Sequence, residues 1–171
     1  MKLTTRSIVI TGMLGAISII LGATGLGFIP VPTPAGRATI LHVPVILAGI
    51  LEGPVVGALV GLIFGIYSFS TATALSADPL VSILPRLFIG VVSYYVYKLG
   101  GKNLYLSSVL AAIAGTITNT VGFLGMAVLR GYLPSWHVAM GIATLHGIPE
   151  AIVAAVIVVV LVKAFKKRYA N

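Results

Sequence analysis

The sequence has no cysteine and only three acidic residues, Glu52, Asp78 and Glu150, against eleven lysines and arginines. Without cysteine there is no disulfide framework, no thiolate nucleophile and no thiolate metal ligand, and the redox compartment leaves no trace. Charged residues make up 8% of the 171 positions, where a soluble domain carries about a quarter. A chain so poor in charge cannot cover its surface with groups that water solvates. Catalytic signatures are missing too. There is no GxSxG elbow, no Walker A loop and no HExxH helix, and each of those chemistries needs its residues at that spacing. The chain is also too short to add a soluble ATPase domain, so it is not expected to be an enzyme. Energy for any active transport must come from an ion gradient or from another subunit.

What is present is apolar. Hydrophobic residues make up 58% of the chain, mean hydropathy is +1.13, and there are 20 glycines. Lipid is the solvent that fits, and glycine is more frequent in membrane helices than in soluble ones. In a soluble protein the net charge of +8 would raise the question of nucleic acid. Here the basic residues flank apolar runs and mark topology instead, so no nucleic-acid partner is expected. The expected fold is all-α and integral to the lipid bilayer: one domain over residues 1–171, a bundle of six transmembrane helices. Runs of apolar residues place these helices at about 6–22, 39–51, 55–70, 81–98, 104–129 and 140–163. The first run has the basic start of a signal peptide. It is longer than an h-region and more spans follow, so it is expected to stay as a helix.

Residues 23–36 carry Pro30, Pro32 and Pro34, which cannot continue a helix; they read as a long, extended, apolar loop after helix one. Glu52-Gly53-Pro54 makes a tight turn, and residues 71–78 form a polar loop. With the N-terminus inside, the cytoplasmic side holds Lys2, Arg6, Lys98, Lys102, Lys163, Lys166, Lys167 and Arg168, and the outer side keeps Arg37, Arg86 and Arg130. That asymmetry places both termini in the cytoplasm. Arg37 and Arg130 read either as side chains snorkelling to outer headgroups or as ligand groups. For Arg86, at the start of an apolar run, the functional reading is favoured, because intramembrane charge is costly and usually marks a ligand or ion path.

Small residues four apart form smooth stripes: Gly57, Gly61 and Gly65 on helix three, Gly12 and Ala16 on helix one, Ala111 and Gly115 on helix five. Such stripes let helices approach closely. The stripe on helix three suits internal packing, and that on helix one suits a partner protein. Polar residues within the apolar runs are few. Thr116, Asn119 and Thr120 share a helix face, as do His146 and Glu150, with Pro149 between them. His42 lies near the start of helix two. These groups read as interhelical hydrogen-bonding, as a cavity for a small polar molecule, or as a zinc site built from His42, His146 and Glu150. The cavity reading is preferred; no metal and no cofactor is expected.

Four stretches carry a resemblance. Residues 38–54 (ATILHVPVILAGILEGP), 83–90 (ILPRLFIG), 115–120 (GTITNT) and 147–152 (GIPEAI) resemble, in that order, motifs of the substrate-binding S components of energy-coupling factor (ECF) vitamin transporters. The similarity is to the riboflavin, pantothenate and hydroxymethylpyrimidine type and covers nearly the whole chain. It implies a multi-pass protein of a prokaryotic plasma membrane that captures a water-soluble vitamin near the outer face. It implies association with a transmembrane coupling subunit and two cytoplasmic ATPases, and release inside by toppling in the membrane. Carried over, the resemblance puts Arg86, Asn119, Thr116, His146, Glu150, His42 and Arg37 at the substrate, and Gly12 and Ala16 against the coupling subunit. The family pattern there is Ala-xxx-Ala; glycine in the first place keeps the surface smooth. An arginine holds a carboxylate well, which favours pantothenate, followed by pyridoxine or hydroxymethylpyrimidine on Asn119 and Glu150. Riboflavin would need aromatic walls, for which Tyr67, Phe69, Phe123 and Trp136 are candidates. The rival readings are a stand-alone ion-coupled carrier or channel, an intramembrane metalloenzyme, and a purely structural subunit.

Overall fold

The structure, a computed structural model, describes residues 3–30, 37–71 and 78–169. Lys2, Pro32, Pro34 and most of the polar 71–78 loop lie outside the described residues, as do the side chains of Arg37, Lys166, Lys167 and Arg168. The order of elements is α1 (Thr5–Ala23), β1 (Phe28–Pro30), β2 (Arg37–Thr39), α2 (Val43–Glu52), α3 (Pro54–Ser70), α4 (Pro79–Ser82), α5 (Leu84–Leu99), α6 (Leu104–Leu129) and α7 (Trp136–Tyr169). Among the described residues, four stretches are long and apolar enough to cross a membrane: Thr5–Ala23, Pro79–Leu99, Leu104–Leu129 and Trp136–Phe165. Val43–Glu52 and Pro54–Ser70 are shorter apolar helices.

Local chemistry sets most boundaries. Thr4 caps α1 by accepting the Ser7 N–H, and Asn103 caps α6 by accepting those of Tyr105 and Leu106. Such caps satisfy amides that the first helical turn leaves without partners. Gly53 turns the chain between α2 and α3 at φ 99°, a conformation that a β-carbon disfavours, and Pro54 then opens α3.

Three expectations need correction. The chain is not wholly α: β1 and β2 pair antiparallel, Phe28 opposite Thr39 and Pro30 opposite Arg37. Helix two begins at Val43 rather than near residue 39, because Thr39 is spent on the hairpin and Pro44 is placed in the first turn. The last helix also starts earlier than expected, at Trp136, and runs unbroken through Pro149.

Helix α2 is the hub, with α1, α3, α5, α6 and α7 around it. Val45, Ile46 and Ala48 on it are wholly buried. The glycine stripe of α3 faces inward, as its spacing suggests. A β-carbon at Gly57 would meet Gly90 and Gly49, one at Gly61 the carbonyl of Arg86, and one at Gly65 the backbone of Ile83. Three helices therefore cross at backbone distance, where dispersion and Cα–H contacts replace side-chain packing. On α1, Gly15 and Ser18 face inward; Ser18 donates to the Leu41 carbonyl at 3.2 Å. Gly12 and Ala16 lie on the opposite, exposed face, and nothing lies within 4 Å of a β-carbon built on Gly12.

Candidate functional site

Pro85 creates the site. Lacking an N–H, it cannot bond the carbonyl four residues back, and the helix breaks at Ile83 between α4 and α5. The freed carbonyls of Val81 and Ser82 accept instead from the Arg86 guanidinium, which folds back over its own N-terminal turn. The flat cation lies between two rings, with its central carbon 5.0 Å from the Phe64 centroid and 4.9 Å from that of Phe123. Both contacts are in cation–π range. Arg86 is 7% exposed. Its Nε has no hydrogen-bond partner, and no carboxylate among the described residues pairs with it.

Arg86 borders two adjoining chambers, of about 340 and 310 Å3, which share Phe28, Thr39, Arg86 and Asn119. The first is completed by Thr120, Phe123 and Leu124 of α6 and by Ile142, His146 and Glu150 of α7. The second runs toward α3 and the end of α1, past Phe64, Tyr67, Ser68, Thr71 and Gly22. Together they form a hollow of mixed lining, in which the rings of Phe28, Phe64 and Phe123 alternate with convergent polar groups, a make-up that suits a small polar molecule. A larger apolar groove of about 630 Å3 lies at the other end of the bundle, between α1, α2 and Phe165. Its polar lining is the Arg6–Glu52 ion pair, 2.7 Å long, which leaves little to orient a water-soluble ligand.

The sequence-predicted residues divide into three groups. Arg86, Asn119, His146 and Glu150 line the cavity. Buried Asn119 Oδ1 has no partner, so the amide has unused hydrogen-bonding capacity beside an unused guanidinium nitrogen. His146 Nδ1 lies 3.1 Å from the Ile142 carbonyl. Glu150 accepts the Thr39 N–H at 2.9 Å and the Thr120 hydroxyl at 3.2 Å. His42 and Thr116 lie behind the wall instead: both are buried and bonded to each other at 2.9 Å, and Thr116 also donates to the Ala112 carbonyl. The zinc arrangement of His42, His146 and Glu150 is therefore not assembled, and no group of three metal-ligating side chains occurs among the described residues. Arg37 stands in β2 opposite Pro30.

Several lining residues carried no signal in the sequence. Phe28 and Thr39 come from the hairpin, and Phe64 from the middle of an apolar run. Phe123 and Tyr67, weighed only as aromatic walls, do line the chambers, whereas Trp136 packs near Gly125 and Phe69 is exposed. Arg130 is not simply a headgroup anchor. Its Nε donates to Asp78 Oδ2 at 2.6 Å, while Asp78 Oδ1 caps α4 at the Leu80 N–H. The Arg130 hydrogen bond holds the Asp78 carboxyl below the usual carboxylate range, and the same bond raises Arg130. This pair fastens the start of the bent helix to the end of α6.

The chain is similar to known proteins in sequence and in fold. A family model, ECF transporter, substrate-specific component, matches residues 6–162. The chain is 30% identical to the pantothenic acid transporter PanT of Lactococcus lactis subsp. cremoris, with 79% of this chain and 81% of that protein covered. A solved S component of a bacterial ECF transporter superposes with a TM-score of 0.69 at 21% identity, covering 97% of this chain and 98% of the other.

Proposed function

Because the chain belongs to the family of ECF transporter substrate-specific components, we propose that it captures pantothenate for an ECF-type importer in the plasma membrane of a prokaryote. The observation that carries the choice of vitamin is Arg86. A guanidinium buried between Phe64 and Phe123, with carbonyls as its hydrogen-bond partners, is a cation without a counter-ion. A buried charge is costly unless it is paired. A ligand carboxylate at the junction of the two chambers pairs it, and the Asn119 amide stands beside it. From there the rest of pantothenate, an amide and two hydroxyls, runs along the first chamber past Phe123 and His146. The likeness to a pantothenic acid transporter supports the same choice. Pyridoxine, hydroxymethylpyrimidine and riboflavin carry no carboxylate and would leave Arg86 unpaired.

In this reading the four long and two short helices make six spans with both termini in the cytoplasm, and the cavity opens outward. The exposed Gly12–Ala16 stripe of α1 meets a transmembrane coupling subunit that carries two ATPases. Uptake in this reading draws on the ATPases of that module.

The test is calorimetric titration of the purified protein with pantothenate and with pantothenol, in which an alcohol replaces the carboxylate. Tight pantothenate binding, with pantothenol at least about a hundredfold weaker, is expected. Equal affinity for the two would remove the basis of the assignment. Uptake by vesicles that contain this chain alone would favour a stand-alone carrier instead.

A further inference from the structure

We propose that Glu150 is a positioning residue: it fastens the β1–β2 hairpin across the cavity, and so sets how fast a ligand enters and leaves. The inference rests on reading the cavity as the binding site. On the α1 side the hairpin is held through its backbone, where Gly27 N–H donates to the Leu21 carbonyl at 2.8 Å and Ile40 N–H to that of Gly27 at 2.9 Å. On the α7 side it is held by a carboxylate, Glu150 Oε1, which accepts the Thr39 N–H at 2.9 Å. Thr39 is the register partner of Phe28, and both residues line both chambers. This hydrogen bond thus ties the crosspiece that carries the Phe28 ring to α7.

The other oxygen, Oε2, accepts from Thr120 on α6, so Glu150 joins the hairpin, α6 and α7 at one point. It is 4% exposed. A carboxylate that accepts a backbone amide makes the stronger, charge-assisted kind of bond, and exclusion of water strengthens it further. Each oxygen already has a protein donor. The side chain therefore has work apart from any contact with ligand.

Glutamine separates the two roles. Glu150→Gln keeps an oxygen for Thr39 and can still bond Thr120, but removes the charge. Glu150→Ala removes the fastening. Thr39→Pro removes the amide from the other side and leaves Glu150 intact.

Hydrogen exchange by mass spectrometry on the full chain in lipid nanodiscs is read at peptides carrying Phe28 and Thr39, with peptides of α3 and α5 reporting that the bundle is folded. Dissociation of radiolabelled pantothenate is followed in parallel. We expect Glu150→Ala to speed exchange at the hairpin and to quicken dissociation, each by about tenfold. In Glu150→Gln, exchange at the hairpin should stay within about threefold of wild type, and Thr39→Pro should reproduce the fast exchange at the Phe28 peptide. Unchanged hairpin exchange in Glu150→Ala would overturn the proposal. So would a Glu150→Gln protein that loses pantothenate as severely as Glu150→Ala while its hairpin exchanges normally, since the charge would then act on the ligand directly. If wild type binds no pantothenate, the choice of vitamin falls, and exchange alone decides the role of Glu150.

Discussion

The carbonyl oxygen of Arg86 occupies the place that a β-carbon on Gly61 would need. The backbone of α3 therefore supports the turn of α5 that carries the guanidinium, with no side chain between them. Gly61→Ala must push that turn away. Overpacking of this kind costs about 1–3 kcal/mol, so thermal melting in detergent should fall by several degrees, and pantothenate affinity should fall with it as Arg86 shifts. Gly141→Ala, where nothing lies within 4 Å of the added carbon, is the matched control and should melt like wild type.

Arg86 itself should be the most sensitive position for affinity. Arg86→Ala removes the counter-ion of the ligand carboxylate and is expected to raise the pantothenate Kd by about a hundredfold or more, since a hydrogen bond to a charged group is worth about 1.5–3 kcal/mol and two are lost. Arg86→Lys should restore little. An ammonium is a point charge and cannot lie flat between two rings while forking to both carbonyls and ligand. In calorimetry, pantothenol should bind wild type and Arg86→Ala with similar weak affinity, because neither pairing has a carboxylate–guanidinium contact to lose.

The exposed stripe on α1 predicts a different phenotype. Large side chains at Gly12 and Ala16, for instance isoleucine at both, face away from the bundle. Pantothenate binding to the isolated chain should stay within about twofold of wild type, because the stripe lies outside the cavity. Co-purification with the coupling module and ATP-dependent uptake should be lost, because the two helices can no longer approach at small-residue distance.

Asp78 gives the fold an acid-sensitive clasp. Its carboxyl is held below its ordinary value by Arg130, so the folded chain favours the ionised form more than the unfolded chain does. The stabilisation is therefore fully present above the unfolded value of about 4 and is lost as pH falls through the lower, folded value. Melting temperature measured from pH 7 down to pH 3 should drop in wild type. In Asp78→Asn, which lacks the ionised partner throughout, this part of the drop should be missing.

The helical part of this architecture was legible because its signals are local. Apolar runs, a proline in a first turn and Gly53 each act within a few residues, and Pro85-Arg86 announced a charge at the start of a span. The glycine stripe of α3 gave the inward face by spacing alone. The hairpin was not legible. Its strands are three residues long, one ends in Pro30, and its pairing joins the two ends of a proline-rich segment, so neither alternation nor a turn dipeptide marks it. Periodicity placed Thr116 and Asn119 on one side of α6, but it cannot say that the first meets His42 and the second the cavity. That division depends on where α2 passes, which is a tertiary fact. Asp78 and Arg130 likewise meet across 52 positions of sequence.

Helix α2 is ten residues long, about 15 Å, or half of a hydrocarbon layer roughly 30 Å deep. Thr39 and Leu41, which lead into α2, are already cavity wall. In the six-span reading proposed above, a molecule resting there lies within the depth of the bilayer at the moment of capture.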